Sequence, residues 1–332
     1  MIITRTPLRI SFIGGGTDFP QYYKDFTGTA VSSTIDKYIY ITANPRFDSD
    51  IRISYSKTEI VKNIDQIQHT RFKEALRIAG IDHGIELTSI GDIPAGTGLG
   101  SSSSFSVGLL NALYAYKKDY QTPESLVSKA CHLEIDVLRE PIGKQDQCAA
   151  AYGGLRRYRF NQDGSINVSS RREDFLTWKF FQSLLVFYLD GQRNAAVILK
   201  DQSDNITSNY KYLSRIHDLA EEFWKSFIIL DIQGLGQIIH EGWMLKKQLA
   251  KNISNSWIDE CYDKAISAGA IGGKLAGAGG CGFLVLICDL SKQNQVIKAL
   301  NNFRKVDVNF EPKGSKIIYA SDVPGYPTCS KI

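Results

Sequence analysis

Cysteine and histidine are scarce in this sequence, and neither occurs at a spacing that binds a metal. The chain has six cysteines among 332 residues, at positions 131, 148, 261, 281, 288 and 329, with no CxxC pair. Its five histidines form no HxxxH pair, and HEGWM at 240–244 does not match HExxH. Scattered thiols of this kind are typical of reduced, buried cysteines, so we expect a cytoplasmic protein without a cysteine–histidine metal site.

An excess of one charge and long apolar runs are also missing. The 39 basic and 35 acidic residues give a formal net charge of +4, so charge alone indicates neither a nucleic-acid partner nor a membrane partner. No apolar run approaches the roughly 20 residues of a membrane span, and the first residues, MIITRTPLRISF, are too charged for a secretory signal. With 43% hydrophobic residues, the chain is long enough for one large domain or two closely associated ones.

Glycine and serine, in contrast, are concentrated in the stretch DIPAGTGLGSSSS at 92–104, just before a helix-periodic apolar segment. Without a Cβ, Gly96, Gly98 and Gly100 allow the backbone to approach a ligand closely. The serines at 101–104 then stand at the start of the predicted helix, where unpaired N–H groups and a partial positive charge favour phosphate. The alternative is one N-cap serine after a flexible turn, but three glycines and four serines favour a phosphate site.

Two further glycine-rich loops leave more than one interpretation open. GAGGCG at 277–282 matches the dinucleotide-binding pattern G-x-G-x-x-G, but an apolar, strand-like segment follows it instead of a helix. We therefore expect a loop folded tightly over an active site, with a plain turn as the alternative. In IGGGTDFP at 13–20, Asp18 either starts an Asx-turn before Pro20 or presents its carboxylate to sugar hydroxyls. No phosphate-binding motif of the form GxxxxGK[ST] occurs in the sequence.

Candidate acid–base groups lie in EIDVLREPIGKQDQCAAAYGG at 134–154. Glu134 falls on a predicted helix, and Asp146 follows a turn in a segment of small residues, with Lys144 as a local positive charge. Asp146 is either a reactive carboxylate or a cap of the segment that follows it. Arg9 alternates with Ser11 on a predicted strand, so both side chains are expected on one face.

Periodicity and turn residues predict an α+β fold with two domains. The composition changes from strand-rich to helix-rich near residue 180, which predicts domains at 1–180 and 181–332. The predicted strands are a glycine-broken segment at 7–20, 35–45, 51–56, 84–94, 184–190, 282–289 and 315–320. The predicted helices are 70–79, one beginning near 103, 122–138, a helical stretch at 194–226, 231–251, 254–268 and 291–303.

The ordered motifs RTPLRISFIGGGTD, PAGTGLGSSSS, EPIGKQDQ with a following GG, and KLAGAGG resemble those of the GHMP small-molecule kinases. The resemblance spans residues 4–285 and implies an N-terminal domain with a left-handed β-α-β element, a ferredoxin-like C-terminal domain and a site between them. Within the superfamily, GGGTD, PIGKQDQ and GQRNAAVIL are most similar to kinases of D-glycero-D-manno-heptose 7-phosphate, with fucokinases as near relatives. This implies ATP-dependent phosphorylation of the anomeric hydroxyl of a heptose 7-phosphate, on the route to nucleotide-activated heptose for surface polysaccharide.

The resemblance also implies catalytic and metal-binding roles. Asp146 corresponds to the catalytic aspartate, and Arg9 stands where other members carry a Lys or Arg that helps polarise the acceptor. Ser102 and Glu134 correspond to the Mg²⁺ ligands, although the additional Ser104 leaves open which hydroxyl meets the metal. Loss of Asp146 or Glu134 would favour a non-catalytic sensor on the same fold; both are present, so a sensor is the weaker alternative.

Binding residues for the two small-molecule substrates follow in the same way. The ATP phosphate loop comprises Pro94, Gly96, Gly98, Leu99, Gly100, Ser101, Ser102, Ser103 and Ser104. The sugar site comprises Gly15, Gly16, Thr17, Asp18, Lys144, Arg193, Gly277, Gly279 and Gly280. For the distal phosphate of the sugar, Lys144, Arg193 and Arg139 are the candidate cations. The adenine pocket and the oligomeric state are left open.

Overall fold

The computed structural model of the protein describes residues 1–171, 173–189 and 195–321, which form two antiparallel or mixed sheets covered by helices. The strands are β1 Ile2–Ile13, β2 Gly28–Pro45, β3 Ile51–Ser54, β4 Thr58–Val61, β5 Ile85–Gly91, β6 Leu155–Phe160, β7 Ile166–Ser170, β8 Leu184–Leu189, β9 Ala270–Leu275, β10 Gly282–Cys288, β11 Arg304–Lys305 and β12 Lys316–Ala320. The helices are α1 Pro20–Tyr23, α2 Thr70–Ala79, α3 Ser101–Tyr116, α4 Pro123–Cys131, α5 Gln145–Tyr152, α6 Phe175–Gln182, α7 Ala195–Asp204, α8 Tyr210–Ser226, α9 Ile232–Lys246, α10 Ser256–Ser267 and α11 Gln293–Ala299. A 3₁₀ turn at Ile64–Gln66 and a π-helical turn at His132–Val137 complete the description.

The first sheet has eight strands and carries the N-terminal half of the cleft described below. Its main order is β12-β1-β2-β5-β3-β4, and β6 pairs with β2 and with β7. β3 and β5 are parallel and are connected through β4 and α2, which gives a β-α-β element. Residues 6–13 of β1 are buried on both faces, because α3 packs against one part of the sheet and helices of the C-terminal half also contact the strand. Both faces of this strand therefore belong to the core.

The second sheet has the ferredoxin-like order. Its four strands pair antiparallel as β11-β8-β10-β9, and in chain order they follow the pattern strand, helices, two strands, helix, strand. The run Phe283–Ile287 in β10 is fully apolar and buried, as expected for a central strand. Helix α9 packs on β9, and this contact places the end of α9 at the cleft.

The last described strand, β12, belongs to the first sheet, although the predicted domain boundary at residue 180 assigns it to the second domain. β12 pairs antiparallel with β1, with Ile2 opposite Ala320, so the chain returns to the first sheet after β11. Glu311 reinforces the return, because its carboxylate accepts hydrogen bonds from Arg5 Nη2 at 3.1 Å and from Tyr38 Oη at 2.5 Å. The C-terminal segment is thus part of the N-terminal sheet, and the predicted domain 181–332 is not contiguous in space.

Several predicted elements are confirmed, and the errors have local causes. The strands at 184–190 and 282–289 and the helix at 70–79 are present, as is the closing strand. The predicted helix 122–138 is wrong in its second half, where the backbone widens into the π-helical turn. The helical stretch at 194–226 is two helices, and Asn209 at the break donates from its side chain to Leu249 O at 2.6 Å. Strands β6 and β9 were not predicted, because three arginines and two glycines respectively obscure their alternation.

Among the described residues, no helix is both long and apolar enough to cross a bilayer.

Candidate active site

A cleft of 180 Å³ lies where the two sheets and their helices meet. The N-terminal half contributes β1, the loop after it, the mouth of α3 and the start of α5. The C-terminal half contributes α7, the end of α9, β9 and the loop between β9 and β10. All three glycine-rich loops predicted from the sequence therefore line one cleft.

The phosphate loop and the third glycine loop touch through bare backbone. Gly100 (φ 75°) is the N-cap of α3, so the helix begins at Ser101 with its N–H groups facing the cleft side. A Cβ at Gly98 would lie 2.5 Å from Ala276 O, and one at Gly277 would lie 2.5 Å from Gly98 Cα. Only glycine fits at both positions, so the loop at 277–282 is a tight loop packed on the helix mouth.

The four serines point in different directions. Ser102 is exposed and lines the cleft, together with Ser101. Ser103 donates from Oγ to Glu134 Oε2 at 2.8 Å. Ser104 donates from Oγ to the Pro7 carbonyl at 2.8 Å and is buried against β1. Ser104 is therefore a structural residue and not a cofactor ligand, because helical periodicity turns its side chain away from the cleft.

Two other predicted loop residues also have backbone or packing roles. The Leu99 side chain is fully buried, and its carbonyl accepts from Arg9 N at 3.0 Å. Pro94 lies at the edge of the neighbouring cavity, where its carbonyl accepts from Thr97 Oγ1 at 2.9 Å. Neither side chain is placed in the cleft itself.

Glu134 is a fully buried carboxylate in the π-helical turn. Oε1 accepts from Ser106 Oγ at 2.8 Å, and Arg71 Nε lies 3.5 Å away. Oε2 accepts from Ser103 Oγ at 2.8 Å and from Gln147 Nε2 at 2.5 Å. The serines that contact Glu134 are thus Ser103 and Ser106, whereas Ser102, predicted as the second Mg²⁺ ligand, lines the cleft.

A bidentate ion pair occupies the centre of the cleft. Arg9 donates from Nε to Asp146 Oδ1 and from Nη2 to Asp146 Oδ2, both at 2.7 Å. A third bond, from Arg9 Nη1 to Gly98 O at 2.8 Å, ties the pair to the phosphate loop. The Arg9 side chain is buried, whereas that of Asp146 is 27% exposed toward the cleft. Asp146 lies in the first turn of α5, and its carboxylate is engaged by Arg9 instead of capping the helix.

The loop at 14–19 brings Asp18 to the same cleft. Its carboxylate accepts from Gly16 N at 2.9 Å and from Gln145 N at 3.2 Å, so it also holds the start of α5. Burial raises the pKa of Asp18 above its ordinary value, and backbone hydrogen bonds oppose that shift. Gly15 and Gly16 line the cleft. Thr17 does not, because its hydroxyl is bonded to the carbonyl oxygens of Gly14 and Thr29, so its predicted role in binding sugar is not supported.

Of the three cations nominated for a distal phosphate, the structure describes Lys144 and Arg139, and neither is among the described residues that line the cleft. Lys144 donates to Gly164 O at 3.3 Å and lies 4.8 Å from the centre of the Tyr23 ring, and these three residues line a different cavity. Its prediction as a substrate ligand is therefore wrong in geometry. Arg139 has a left-handed backbone (φ 55°) and is absent from the described lining of the cleft. Arg193 lies outside the described residues.

Two buried lysines line the cleft instead, and sequence reasoning did not select them. Lys246 ends α9 and Lys274 lies on β9, and both side chains are buried. Burial and the nearby Arg9 guanidinium lower the pKa of Lys246 to about 8. Burial and then Lys246 lower the pKa of Lys274 well below its usual range. Lys274 belongs to the quoted KLAGAGG motif, but Lys246 sits in an ordinary amphipathic helix and has no local signal.

The third glycine loop reaches the cleft only in part. Gly277 and Gly279 line it, as predicted for the sugar site. Gly280 is not among its described lining residues, and its N–H donates to Ile253 O at 2.8 Å.

A second cavity of 820 Å³ opens from the cleft beside the phosphate loop. It shares Gly96, Ser101 and Ser102 with the cleft and is otherwise largely apolar and aromatic. The His69 ring lies 4.7 Å from Tyr55 and 5.5 Å from Phe105, and burial followed by the Arg71 charge lowers the pKa of His69. An aromatic cavity of this kind suits a flat heterocycle.

Both halves of the chain match known protein families. Residues 60–154 match the family described as GHMP kinases N terminal domain, and residues 219–305 match GHMP kinases C terminal. A D-glycero-alpha-D-manno-heptose 7-phosphate kinase of Campylobacter jejuni subsp. jejuni serotype O:2 is 28% identical over 95% of this chain and 98% of its own length. A bifunctional fucokinase/GDP-fucose pyrophosphorylase of Arabidopsis thaliana is 23% identical over 91% of this chain, which spans only 31% of that protein. The crystal structure of a D-glycero-D-manno-heptose 1-phosphate kinase from Bacteroides thetaiotaomicron superposes with a TM-score of 0.81 at 22% identity, covering 97% of this chain and 100% of that one.

Proposed function

The chain belongs to the GHMP kinases, and from that premise we propose that it transfers the terminal phosphoryl group of ATP to the anomeric C1 hydroxyl of D-glycero-D-manno-heptose 7-phosphate. The product would be the 1,7-bisphosphate, a precursor for nucleotide-activated heptose and surface polysaccharide made in the cytoplasm. The observation that carries the proposal is the Arg9–Asp146 pair, which is bonded to Gly98 of the phosphate loop and shares one cleft with Asp18. The candidate phosphate loop, the candidate base and the candidate sugar loop therefore line one cleft, which supports the proposal.

The nucleotide is proposed to lie along the second cavity and the mouth of α3. Its base would occupy the aromatic cavity at Tyr55, His69 and Phe105, which opens onto Ser101 and Ser102. Its phosphates would then accept hydrogen bonds from the N–H groups at the start of α3, whose dipole favours negative charge. The bare backbone at Gly98 leaves room for that approach.

Asp146 is proposed to accept the proton of the sugar hydroxyl. Arg9 fixes the carboxylate on two bonds and offers positive charge beside the phosphoryl group in transfer. As the hydroxyl oxygen bonds to the terminal phosphorus, the bond from that phosphorus to the bridging oxygen breaks, and ADP leaves with the electron pair. The hydroxyl proton goes to Asp146, a general-base contribution of typically ~10²–10⁴ in rate.

Mg²⁺ is proposed to bind beside Glu134. No group of three or more His, Cys, Asp or Glu side chains able to hold a metal occurs among the described residues, and this fits an ion that uses one or two carboxylates plus phosphate oxygens. The hydroxyls of Ser102 and Ser103 are hard oxygen donors that line the cleft, and Glu134 is the buried carboxylate bonded to Ser103 behind them. The ion would neutralise charge on the nucleotide phosphates.

The choice of sugar is supported by the 28% identical heptose 7-phosphate kinase, which matches over nearly its full length. A substrate panel tests it, with ATP and Mg²⁺ and with heptose 7-phosphate, sedoheptulose 7-phosphate, mannose 6-phosphate, fucose and galactose as acceptors. We expect the highest kcat/KM for heptose 7-phosphate, with no turnover when Mg²⁺ is omitted. A preference for fucose or galactose would overturn the proposal in favour of a fucokinase-like enzyme.

A further inference from the structure

Lys246 and Lys274 bury two ammonium groups in one cleft without a carboxylate partner. Their residues are only 8% and 6% exposed, although they come from different elements, α9 and β9. Lys246 Nζ donates to the carbonyl of Gly277, whereas Lys274 Nζ has no hydrogen-bond acceptor among the described residues. Within the described structure, neither nitrogen lies within 4.0 Å of a carboxylate oxygen. Burying a charge without a partner costs free energy, so we expect an anionic group of a ligand to pair with the two ammonium groups.

The carboxylates of the cleft are already engaged elsewhere. Asp146 has Arg9 on both oxygens, and Asp18 accepts backbone N–H bonds on both of its oxygens. The third carboxylate that lines the cleft, Glu140, accepts from Arg71 Nη2 at 2.6 Å. The cleft is thus lined by three cationic side chains and three carboxylates, and none of the carboxylates pairs with either lysine. The lowered pKa values of both lysines have burial and neighbouring cations as their main causes, which is the expected state of an anion site without its anion.

The position of the lysines favours the acceptor over the nucleotide as the source of that anion. They belong to the C-terminal wall, whereas the N–H groups that suit nucleotide phosphates belong to the mouth of α3. Both lysines line the same cleft as Asp18 and Asp146. They therefore share that space with the loop at 14–19 and with the candidate base.

We propose that Lys246 and Lys274 together bind the phosphate group that the sugar substrate already carries. This inference rests on the proposed function, because it assigns the residues that select a phosphorylated acceptor. The lysines replace the nominated Lys144, which donates to Gly164 O and lines a different cavity. An unphosphorylated sugar leaves both ammonium groups unpaired, and a site of this kind discriminates strongly against a ligand that lacks the matching group.

Lys274→Met and Lys246→Met test the assignment, because methionine keeps an unbranched side chain and removes the charge. We expect either change to raise KM for D-glycero-D-manno-heptose 7-phosphate by roughly ten- to a hundredfold. KM for unphosphorylated D-glycero-D-manno-heptose and for ATP should stay within about twofold, since neither ligand carries the sugar 7-phosphate that the two lysines are proposed to bind. Lys264→Met is the matched control, because Lys264 is an exposed lysine near the end of α10.

A binding measurement separates the two possible sources of phosphate. Titration calorimetry with heptose 7-phosphate, in the absence of ATP and Mg²⁺, should show the same roughly ten- to hundredfold loss of affinity in both variants. Loss of ATP affinity, or an equal fall in kcat on both sugars, would show that the lysines serve the transferred phosphoryl group and would overturn the inference. If a Met variant fails to fold, the other variant and Lys274→Arg, which keeps the charge and should retain sugar-phosphate binding, decide the question.

The outcome for the wild type keeps this inference distinct from the proposed function. If the wild type prefers unphosphorylated sugars, the proposed function fails. If it prefers heptose 7-phosphate and both Met variants keep the wild-type KM, only the assignment of the lysines fails.

Discussion

At the scale of single residues, the Arg9–Asp146 pair holds the carboxylate in one orientation and still leaves it able to accept a proton. A carboxylate oxygen has two lone pairs, and each oxygen of Asp146 gives only one of them to Arg9. The remaining lone pairs lie on a side chain that is 27% exposed toward the cleft, so a hydroxyl can still donate to it. The pair therefore fixes the base without blocking it.

Asp146→Asn tests this residue directly. The amide keeps the shape, but it cannot accept a proton and it turns an NH₂ group toward the Arg9 donors. We expect kcat to fall by roughly two to four orders of magnitude, with ATP affinity largely kept. Steady-state kinetics and ATP titration measure the two quantities, with Asp25→Asn on the exposed surface as the control. Near-normal turnover in Asp146→Asn would remove this residue from proton transfer.

Lys246 gives a pH dependence with a definite sign. Its pKa is about 8 in the folded protein and 10.5 in the reference state, because burial and Arg9 disfavour the charged form. Below pH 8 Lys246 is protonated in both the folded and the unfolded protein, and the folded protein bears the full cost of burying the ammonium group. Between pH 8 and 10.5 the folded protein binds fewer protons than the unfolded protein, so the free energy of unfolding rises with pH. The rise approaches roughly 3 kcal/mol across the whole window.

Urea unfolding of wild type and Lys246→Met at several pH values between about 7 and 9.5 checks this sign. The variant should be the more stable protein at pH 7, and its advantage should shrink as the pH rises. Subtracting the two curves removes the tyrosine titrations, which both proteins share. A difference that does not change with pH would mean that Lys246 is not a depressed ammonium in the folded state.

At the scale of elements, the cleft depends on two loops that approach each other as backbone. Gly98 has φ 91°, and a Cβ there would lie 2.5 Å from Ala276 O. Gly96 has a similar φ of 80°, but nothing lies within 4 Å of the Cβ that it would carry. Alanine substitutions at the two glycines therefore separate the free-energy cost of a left-handed backbone from that of a steric clash with the third glycine loop.

Gly96→Ala and Gly98→Ala form a matched pair. We expect Gly96→Ala to lower the free energy of unfolding by about 1 kcal/mol, which is the cost of the left-handed backbone alone. Gly98→Ala should cost more, because the third glycine loop must move, and it should also lower kcat/KM through Arg9, which is bonded to Gly98 O. Chemical denaturation and kinetics measure both effects. Equal losses in the two variants would show that the contact between the loops does not matter.

Elements with a simple period were predictable from the sequence, and those with a special backbone were not. The glycine and serine pattern at 96–104 predicted the helix mouth, since it depends on local chemistry alone. The π-helical turn at 132–137 has no comparable signal, although it carries Glu134 into its ring of donors. Which serines contact Glu134 depends on the phase of α3 relative to that turn. Such a phase is set by tertiary packing, so the contacts of Glu134 with Ser103 and Ser106 could not be predicted from the sequence.

At the scale of the whole molecule, sequence reasoning found the loops that form the cleft but missed the charges that long-range folding brings to it. Lys246 and Asp18 are 228 positions apart in the printed sequence and meet only because α9 packs beside the first sheet. The return of the chain to β1 was likewise invisible, because the closing strand has the same local pattern whichever sheet it joins. A contiguous division at residue 180 followed from composition, which carries no information about such returns.

A substitution at Phe310 tests whether the packing of the C-terminal segment on the first sheet stabilises the whole protein. Its ring is buried 5.4 Å from Phe181 and 5.6 Å from Trp178 of α6, and its backbone bridges to Ile35 of β2. If the C-terminal segment belongs to the first sheet, Phe310→Ala should cost roughly 3–5 kcal/mol of the whole protein's unfolding free energy. The control Ile318→Ala, at a side chain that is 47% exposed on β12, should cost far less.

Unfolding of Phe310→Ala should remain a single transition that coincides by circular dichroism and by tryptophan fluorescence, because α6 and the return segment link the two sheets. Two separated transitions, with only the less stable one shifted by the substitution, would contradict this. In that case residues 181–321 would unfold as one independent unit, as a contiguous division of the chain at residue 180 requires. The coincident transition is expected because Phe310, although far beyond that position in the chain, packs in the core shared with β2.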